Sequence, residues 1–213
     1  MLSRTILAVL LAAALTTARA AIDLTPTAHE SICEGFTFKE LLFQDGKRQI
    51  VYQLPAKWTY RAGGDGLHLT PPQTAYADAI IQAAALPAPQ RLDEKSIEAA
   101  RQQFMSNFPP GSQMITLVSE EQNSVPLNGN ATYEITASYQ VMGETFLRSA
   151  VFSNLADTQM CFRLTARKSD FGRLHQVFRA SILSWRWFES SPSAAKNGPA
   201  VATAPAPAPS STN

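Results

Sequence analysis

Residues 131–141 read ATYEITASYQV, and this stretch decides the fold class of the chain. Apolar side chains occupy every second position, which is the period of a β-strand that buries one face. The residues that share this face are Tyr133, Ile135, Ala137, Tyr139 and Val141. The segment therefore predicts a strand that packs one side on a core.

Turn signals on both sides of this strand divide the neighbouring sequence into three more strands. The turns are predicted at Asn128-Gly129, Gly143-Glu144 and Ala156-Asp157, because Gly, Asn and Asp tolerate the backbone angles of tight turns. Consecutive strands joined by short turns pair in the antiparallel direction. The result is a four-stranded meander that comprises residues 114–121, 131–141, 145–153 and 159–167.

The first half of the chain predicts further strands. Residues 36–54 predict a hairpin with its turn at Asp45-Gly46. Short extended pieces follow at residues 58–60 and 67–69, separated by a glycine-rich turn. Residues 76–86 are ambiguous, because their alanines favour a helix whereas their isoleucines and the flanking prolines favour a buried strand. We predict a strand here.

Two segments carry apolar residues at the helical spacing of three and four positions. The first begins at Asp93, a residue type that is typical of an N-cap, and Pro109-Pro110-Gly111 breaks it. The second begins at Ser169 or Asp170. The apolar stripes are Ile97, Ala100, Phe104 and Phe108 in the first helix, and Phe171, Leu174, Phe178, Ile182 and Trp185 in the second.

Several predicted strands carry bulky residues on both faces. Met160, Phe162 and Leu164 lie on one strand, and Phe146 and Phe152 lie on another. A sheet that is buried on both sides needs cover on both sides, and two amphipathic helices can supply it. We therefore predict an α+β fold, with an antiparallel sheet of about six to seven strands covered by helices on both faces.

The order of these elements, with Pro55 and Trp58 spaced as Pro-x-x-Trp after the second strand, resembles the PsbP-like fold. That family includes an extrinsic subunit of photosystem II, a Ran-binding nuclear factor and bacterial envelope proteins of unknown role. The resemblance covers residues 36–188 and implies an exported bacterial member of this fold. Functions diverge widely within the fold, so the resemblance implies no particular site residue.

Both ends of the chain have the composition of segments that lie outside a folded domain. Residues 1–20 predict a signal peptide cleaved after Ala20, so we expect a periplasmic or secreted protein with no integral membrane segment after cleavage. Residues 190–213 predict a disordered tail rich in Pro, Ala and Ser. Between them we expect an N-terminal extension at 21–33 and a single globular domain at 34–189.

The charge balance of the chain excludes a strongly basic nucleic-acid binder. Lys and Arg number 18 against 17 Asp and Glu, which gives a formal net charge of +1. Loss of Arg4 and Arg19 with the signal peptide would change this charge to −1. A nearly neutral chain lacks the positive electrostatic field that attracts the phosphate backbone of a nucleic acid. We expect a protein or small-molecule partner and no nucleic acid.

Cys33 and Cys161 are the only cysteines in the sequence. In an exported protein an even pair predicts a disulfide, which would tie the N-terminal segment to the third strand of the meander. The alternative is a catalytic cysteine, but neither residue is surrounded by a supporting pattern.

One polar cluster emerges from the predicted register of the meander. If the turns centre on Gly143-Glu144 and Ala156-Asp157, Arg148 falls opposite Tyr139 and diagonal to Arg163 and Arg167, with all four on one face. Like charges so close together repel unless an anion or carboxylates compensate them. This predicts an anion or partner site at Tyr139, Arg148, Arg163 and Arg167; the alternative is a set of solvated arginines.

The sequence contains no recognisable catalytic set or cofactor motif. His29, His68 and His175 lack partners at metal-ligand spacing, and Gly-x-Ser-x-Gly is missing from the sequence. We therefore predict no catalytic residue, no metal and no cofactor. The aromatic run at residues 185–188 is interpreted as core packing at the end of a helix, with a ligand-binding shelf as the alternative.

These observations favour an exported, non-enzymatic binding or accessory protein of the bacterial envelope. Two alternatives from other classes stay open. One is an enzyme with an unrecognised site in a cleft of the sheet, which shifted pKa values in a deep pocket would support. The other is a carrier of a small lipophilic ligand, which requires an apolar cavity.

Overall fold

The computed structural model describes residues 22–33, 36–46, 48–155 and 157–189, and this part of the chain has an α+β fold. The predicted signal peptide and tail lie outside the described residues. The strands are β1 (Thr27–Cys33), β2 (Phe36–Asp45), β3 (Arg48–Gln53), β4 (Thr59–Gly63), β5 (Gly66–Thr70), β6 (Asp78–Ala85), β7 (Gln113–Gln122), β8 (Tyr133–Val141), β9 (Glu144–Leu155), β10 (Thr158–Arg167) and β11 (Arg186–Glu189). The helices are α1 (Glu94–Ser106) and α2 (Lys168–Ile182).

Seven strands form one antiparallel sheet in the order β4-β5-β6-β10-β9-β8-β7. The predicted meander is confirmed as β7 to β10, and the ambiguous segment at 76–86 is the strand β6, which pairs with β10. Ala79, Ile80 and Ile81 are all buried. A run that is buried on both faces is the pattern of an interior strand, which explains why it does not alternate.

The other four strands form a second antiparallel sheet in the order β1-β2-β3-β11. The prediction of one sheet covered only by helices was therefore incomplete. Phe43 of β2 stacks on Trp185 at a centroid distance of 5.6 Å, and Phe162 of β10 meets Trp185 edge to face at 5.3 Å. The hairpin thus packs its apolar face onto the larger sheet instead of extending its edge. Strand β1 lies within the segment predicted as an N-terminal extension and pairs with β2.

The two helices contribute to different hydrophobic clusters. Leu174 and Phe178 of α2 pack with Phe162 of β10 and with the smaller sheet. Phe104 of α1 packs with Phe152 of β9 and other residues of β8 and β9. Each helix therefore buries its apolar stripe on a different set of side chains of the seven-stranded sheet.

The starts of the helices show where the sequence signals succeed and fail. Asp93 caps α1 as predicted, since its carboxylate accepts the N–H of Ser96 at 2.8 Å while Ser96 Oγ accepts the N–H of Asp93 at 2.7 Å. The predicted start of α2 at Ser169 or Asp170 was wrong. Helix α2 begins at Lys168, and no side chain caps it. Strand β10 runs directly into the helix, so no turn signal separates the two.

The aromatic run at residues 185–188 lies after α2 and not at its end. Trp185 is buried, in agreement with the prediction of core packing. Residues 186–189 form β11, which pairs with β3, and Phe188 is about half exposed. The alternating burial of this run is that of a strand at the edge of a sheet.

Candidate functional site

The arginine cluster (Tyr139, Arg148, Arg163 and Arg167) lies on one face of the seven-stranded sheet. The register places Arg148 opposite Ala137 and Thr165, so it is diagonal to Arg163 and Arg167 as predicted. The predicted pairing of Arg148 with Tyr139 was wrong by two residues, because Val141 pairs with Glu144 and the turn is Met142-Gly143. A shift of two residues keeps every side chain on its face.

Arg148 is buried, and two nitrogens of its guanidinium donate hydrogen bonds within the protein. Its Nε donates to Thr165 Oγ1 at 3.1 Å, and its Nη1 donates to the carbonyl oxygen of Asn107, the C-cap of α1. The guanidinium also lies 4.9 Å from the centre of the Phe108 ring and 5.6 Å from that of Tyr139. Burial lowers the pKa of Arg148 from its ordinary value. The negative end of α1 and two aromatic faces compensate its charge.

The other two arginines of the cluster have separate surroundings. Arg167 stacks over Tyr76 at 4.5 Å, and its Nε lies 3.7 Å from Glu144 Oε2. Arg163 lines, with Arg148 and Cys161, a cavity of about 20 Å³. Such a cavity has room for about one water molecule. The structure thus brings the four residues to one face, yet not around a space for an organic anion, and anion binding here stays a prediction.

The structure gives no support to the predicted disulfide. Cys161 has a free thiol and packs in the cluster of α1, whereas Cys33 ends β1 at the edge of the smaller sheet. The side chain of Cys33 lies outside the described residues. Burial raises the pKa of the Cys161 thiol to about 12. The Cys161 side chain is partly buried. A thiol with a raised pKa is mostly protonated at neutral pH and is a poor nucleophile, so the environment does not favour catalysis by Cys161 either.

A network that the sequence did not suggest joins β8 to α2 through Glu134. His175 Nε2 lies 2.7 Å from one carboxylate oxygen, Ser149 Oγ donates to the same oxygen at 3.1 Å, and Arg179 Nε lies 3.4 Å from the other. Burial acts to raise the pKa of Glu134. The hydrogen bonds to His175 and Ser124, together with the charges of His175 and Arg179, outweigh burial, and the pKa falls below its ordinary value. We call this set the Glu134 network.

A groove of about 660 Å³ lies between α2 and the connection from β3 to β4. Four separate parts of the chain form it: β1, β2, the connection itself and the C-terminal half of α2. The apolar residues that line it are Phe38, Leu54, Pro55, Ala56, Trp58, Val177 and Ala180. This volume is within the range of small-molecule sites, about 300–1,000 Å³.

The walls of the groove combine rigid and exposed apolar surface. Trp58 is buried, and its ring lies parallel to that of Phe178 at a centroid distance of 6.2 Å. Phe38 and Val177 are 37% and 39% exposed and face the groove. Large apolar side chains exposed together in a concavity indicate a binding site more than isolated ones do.

Two hydrogen bonds tie the wall formed by α2 to the smaller sheet. Tyr52 Oη and Ser181 Oγ lie 2.8 Å apart and are buried, and the backbone N–H of Gln53 donates to Ser184 Oγ at 2.8 Å. These contacts span more than a hundred residues of sequence. They fix the spacing between β3 and the end of α2, and with it the width of the groove.

The charged residues that line the groove are Glu30, Lys39 and Lys57. Lys39 Nζ lies 3.1 Å from Glu30 Oε1, so these two charges pair with each other. Among the described residues, Lys57 has no ion-pair partner. One positive charge at the mouth of an apolar groove is therefore left for solvent or for a ligand.

Comparisons with solved structures identify the architecture. The solution structure of PsbP (CyanoP) from Synechocystis sp. PCC 6803 matches 74% of this chain and 98% of its own, with a TM-score of 0.51 at 13% identity. The fold is PsbP-like. This confirms the resemblance that the order of the elements predicted.

Two further solved structures match this chain with lower TM-scores. The crystal structure of LpqN, involved in cell envelope biogenesis of Mycobacterium tuberculosis, has 13% identity and a TM-score of 0.47, and covers 76% of this chain and 90% of its own. PA94, a protein of unknown function from Pseudomonas aeruginosa, has 15% identity and a TM-score of 0.39, and covers 73% and 94%. No family model and no curated protein sequence matches the chain.

Within residues 22–33, 36–46, 48–155 and 157–189, no group of three or more His, Cys, Asp or Glu converges as a metal site. In the same residues, neither helix is long and apolar enough to cross a membrane.

Sequence reasoning noticed Pro55 and Trp58 but missed the groove that they line. Val177 carried a usable signal, because it is an apolar residue outside the predicted stripe of α2. An apolar residue off the buried stripe indicates a second contact surface on a helix. Its partners, in β2 and in the connection after β3, are more than a hundred residues away and could not be paired with it from the sequence.

Proposed function

We propose that this PsbP-like protein is an exported, non-enzymatic accessory protein of the bacterial envelope that binds a small apolar molecule in the groove. The observation that carries the proposal is the groove itself: about 660 Å³ of space, lined by the exposed side chains of Phe38 and Val177 and by the buried Trp58. Burial of such side chains by a ligand removes apolar surface from water and favours binding.

The surroundings of the titratable groups support a binding role over an enzymatic one. Glu134 is held by His175, Arg179 and Ser149 in contacts that join β8 to α2. Burial raises the pKa of the Cys161 thiol to about 12, which favours its protonated form. The hydrogen bonds and ion pairs of Glu134 explain its burial, and Cys161 packs against the hydrophobic cluster of α1. The free carboxylate or thiolate that acid–base or nucleophilic chemistry requires is not found at either residue.

The architecture supports the rest of this proposal. Helices α1 and α2 pack into two different hydrophobic clusters, and this favours an arrangement with one helix on each face of the seven-stranded sheet. The sequence of residues 1–20 supports export. In this proposal the signal peptide is followed by a short extension at 21–33, the domain at 34–189 and a tail rich in Pro, Ala and Ser at 190–213. Edman sequencing of the protein from the periplasmic fraction is expected to begin at Ala21. Recovery only from the cytosol, with Met1 in place, would contradict export.

A matched pair of helix variants tests the binding function. Val177→Trp fills the groove, while Gln176→Trp adds the same ring to an exposed neighbouring position of α2 that does not line the groove. The probe is N-phenyl-1-naphthylamine, an uncharged dye whose fluorescence rises in apolar sites. We expect saturable binding by the natural chain and by Gln176→Trp, and a loss of at least tenfold in affinity in Val177→Trp.

The opposite pattern would overturn this function. Equal dye binding by all three proteins would place the dye elsewhere, and no saturable binding by the natural chain would remove the groove as a site. Circular dichroism of each variant distinguishes lost binding from lost folding. Native mass spectrometry of the protein purified from the envelope then gives the mass of any molecule that it retains.

A further inference from the structure

Lys57 stands at the mouth of the groove in a backbone conformation that is unusual for lysine. Its φ angle is +66°, in the left-handed region, and the N–H of Trp58 donates to the carbonyl oxygen of Pro55 at 3.0 Å across the turn. Gly or Asn is the residue type that such a turn position prefers. The chain thus carries a long cationic side chain where a glycine would fit the backbone with less strain.

Among the residues that the structure describes, the charge of Lys57 is also uncompensated, in contrast to the other charges at the groove. Lys39 and Glu30 pair at 3.1 Å, so the charged lining residues sum to one positive charge, and Lys57 carries it. Ala56 and Lys57 are exposed, whereas the adjoining Pro55 and Trp58 are buried. The cationic group therefore lies at the boundary between the solvent and the apolar walls.

We infer that the groove binds a single-chain amphiphile with an anionic head group, its alkyl chain between Phe38, Trp58 and Val177 and its head at Lys57. This rests on the proposed function, and it adds the class of ligand. Apolar walls recognise the chain, and an ammonium at the mouth pairs with a carboxylate or a phosphate. A fatty acid and a lysolipid phosphate share this chemistry, so both head groups belong in the test.

The test compares four ligands with the same ten-carbon chain, each competing with N-phenyl-1-naphthylamine below its micelle concentration. Decanoate and decyl phosphate are anionic, 1-decanol is uncharged, and decyltrimethylammonium is cationic. We expect the two anions to bind about fivefold or more tightly than decanol, the scale of an exposed ion pair. The cation is expected to bind weakest. The affinities of decanoate and decyl phosphate, compared with each other, show which anionic head group is preferred.

Variants at Lys57 assign the head-group preference to one side chain. Lys57→Gln removes the charge, and Lys57→Gly removes it while also relieving the backbone. The matched control is Lys95→Gln, which makes the same charge change at an exposed position of α1. We expect both Lys57 variants to bind decanoate with the affinity of decanol, and Lys95→Gln to keep the preference. Added salt should weaken decanoate binding in the natural chain and much less in Lys57→Gln.

The outcomes separate this inference from the proposed function. Tight binding of decanol and decanoate alike, or an anion preference that survives in Lys57→Gln, overturns the ligand class and leaves the apolar site standing. Failure of every ten-carbon ligand and of the dye overturns both. Displacement of the dye by a synthetic peptide of residues 190–213, but not by decanoate, also overturns the inference, because the chain's own C-terminal segment would then occupy the groove.

Discussion

The groove and the arginine cluster are two ways of placing positive charge next to aromatic side chains. In the arginine cluster, Arg148 is buried and bonded to the C-terminal carbonyl of α1 and to Thr165, with Phe108 and Tyr139 around it. At the groove, Lys57 is exposed and has no ion-pair partner among the described residues. A charge that is hydrogen-bonded within the protein, like that of Arg148, stabilises the fold. A charge that has no such partner, like that of Lys57, is available to a ligand.

This contrast predicts that substitutions in the arginine cluster change stability, while substitutions at the groove change binding. Arg148→Met has the largest expected effect, a loss of about 3 kcal/mol in the free energy of unfolding, because it leaves the Asn107 carbonyl and Thr165 Oγ1 without their donor. Urea denaturation measures it. Arg163→Met is the control, with a loss below about 1 kcal/mol. Equal losses in the two variants would mean that Arg148 does not hold α1 to the sheet.

The Glu134 network extends the comparison to a buried carboxylate. Glu134→Gln is expected to lower the free energy of unfolding by about 2 kcal/mol, since His175 and Arg179 lose a charged partner. The control is Glu121→Gln, at the exposed residue of β7 that pairs with Glu134 in the sheet, with a change under about 0.5 kcal/mol. Urea denaturation at neutral pH compares the two variants.

The Glu134 network also predicts how the free energy of unfolding changes as the pH falls. The pKa of Glu134 is lower in the folded protein, so its contribution is complete above the unfolded pKa of about 4.3 and is lost as the pH falls through the folded value. Unfolding curves between pH 7 and pH 3 should show a smaller acid loss in Glu134→Gln than in the natural chain. Identical acid losses would argue that the carboxyl is not held in its ionised form.

At the groove, Lys57→Gly is expected to change binding and not to reduce stability. We expect the variant to be more stable by about 0.5 kcal/mol, because relief of the left-handed backbone outweighs the added freedom of the unfolded chain. Its affinity for decanoate should fall at the same time. Differential scanning calorimetry measures the first effect. A clear loss of stability in this variant would mean that Lys57 has a structural role, and the contrast between the two regions would fail.

The smallest expected effect concerns the cysteines. From the free thiol of Cys161 we expect two reactive thiols in the unreduced protein after denaturation, and no change in the melting temperature on reduction. In the folded protein the Cys161 thiol should react slowly with alkylating agents at neutral pH, because its pKa is raised to about 12 and little of it is thiolate. A count of zero thiols after denaturation would restore the disulfide between Cys33 and Cys161.

The meander was predictable because its information is local. The alternation in residues 131–141 and the turn residues on either side depend on neighbours in the sequence. The register was harder, since the turn at Met142-Gly143 has Met142 with a positive φ of 50°, which its residue type does not signal. The face of each arginine was still right, because the error was an even number of residues.

The second sheet and the groove were not predictable in the same way. Alternation in the hairpin of β2 and β3 shows that one face is buried, but not whether it packs on the face of the larger sheet or extends its edge. The groove joins Phe38, Pro55 and Val177, which meet only after both sheets and α2 have assembled. A site that is built from distant segments leaves only a weak signal in the sequence of each segment. The clearest signal here was Val177, an apolar residue outside the buried stripe of α2.

The two hydrogen bonds between β3 and the end of α2 have a consequence for the thermodynamics of binding. Because Tyr52 with Ser181 and Gln53 with Ser184 already hold the walls apart, a ligand enters a site that exists before it arrives. Little of the binding free energy is then consumed in ordering the protein. Calorimetry across a range of temperatures should record a negative heat-capacity change that grows with the length of the alkyl chain, as expected for burial of apolar surface in a preformed site.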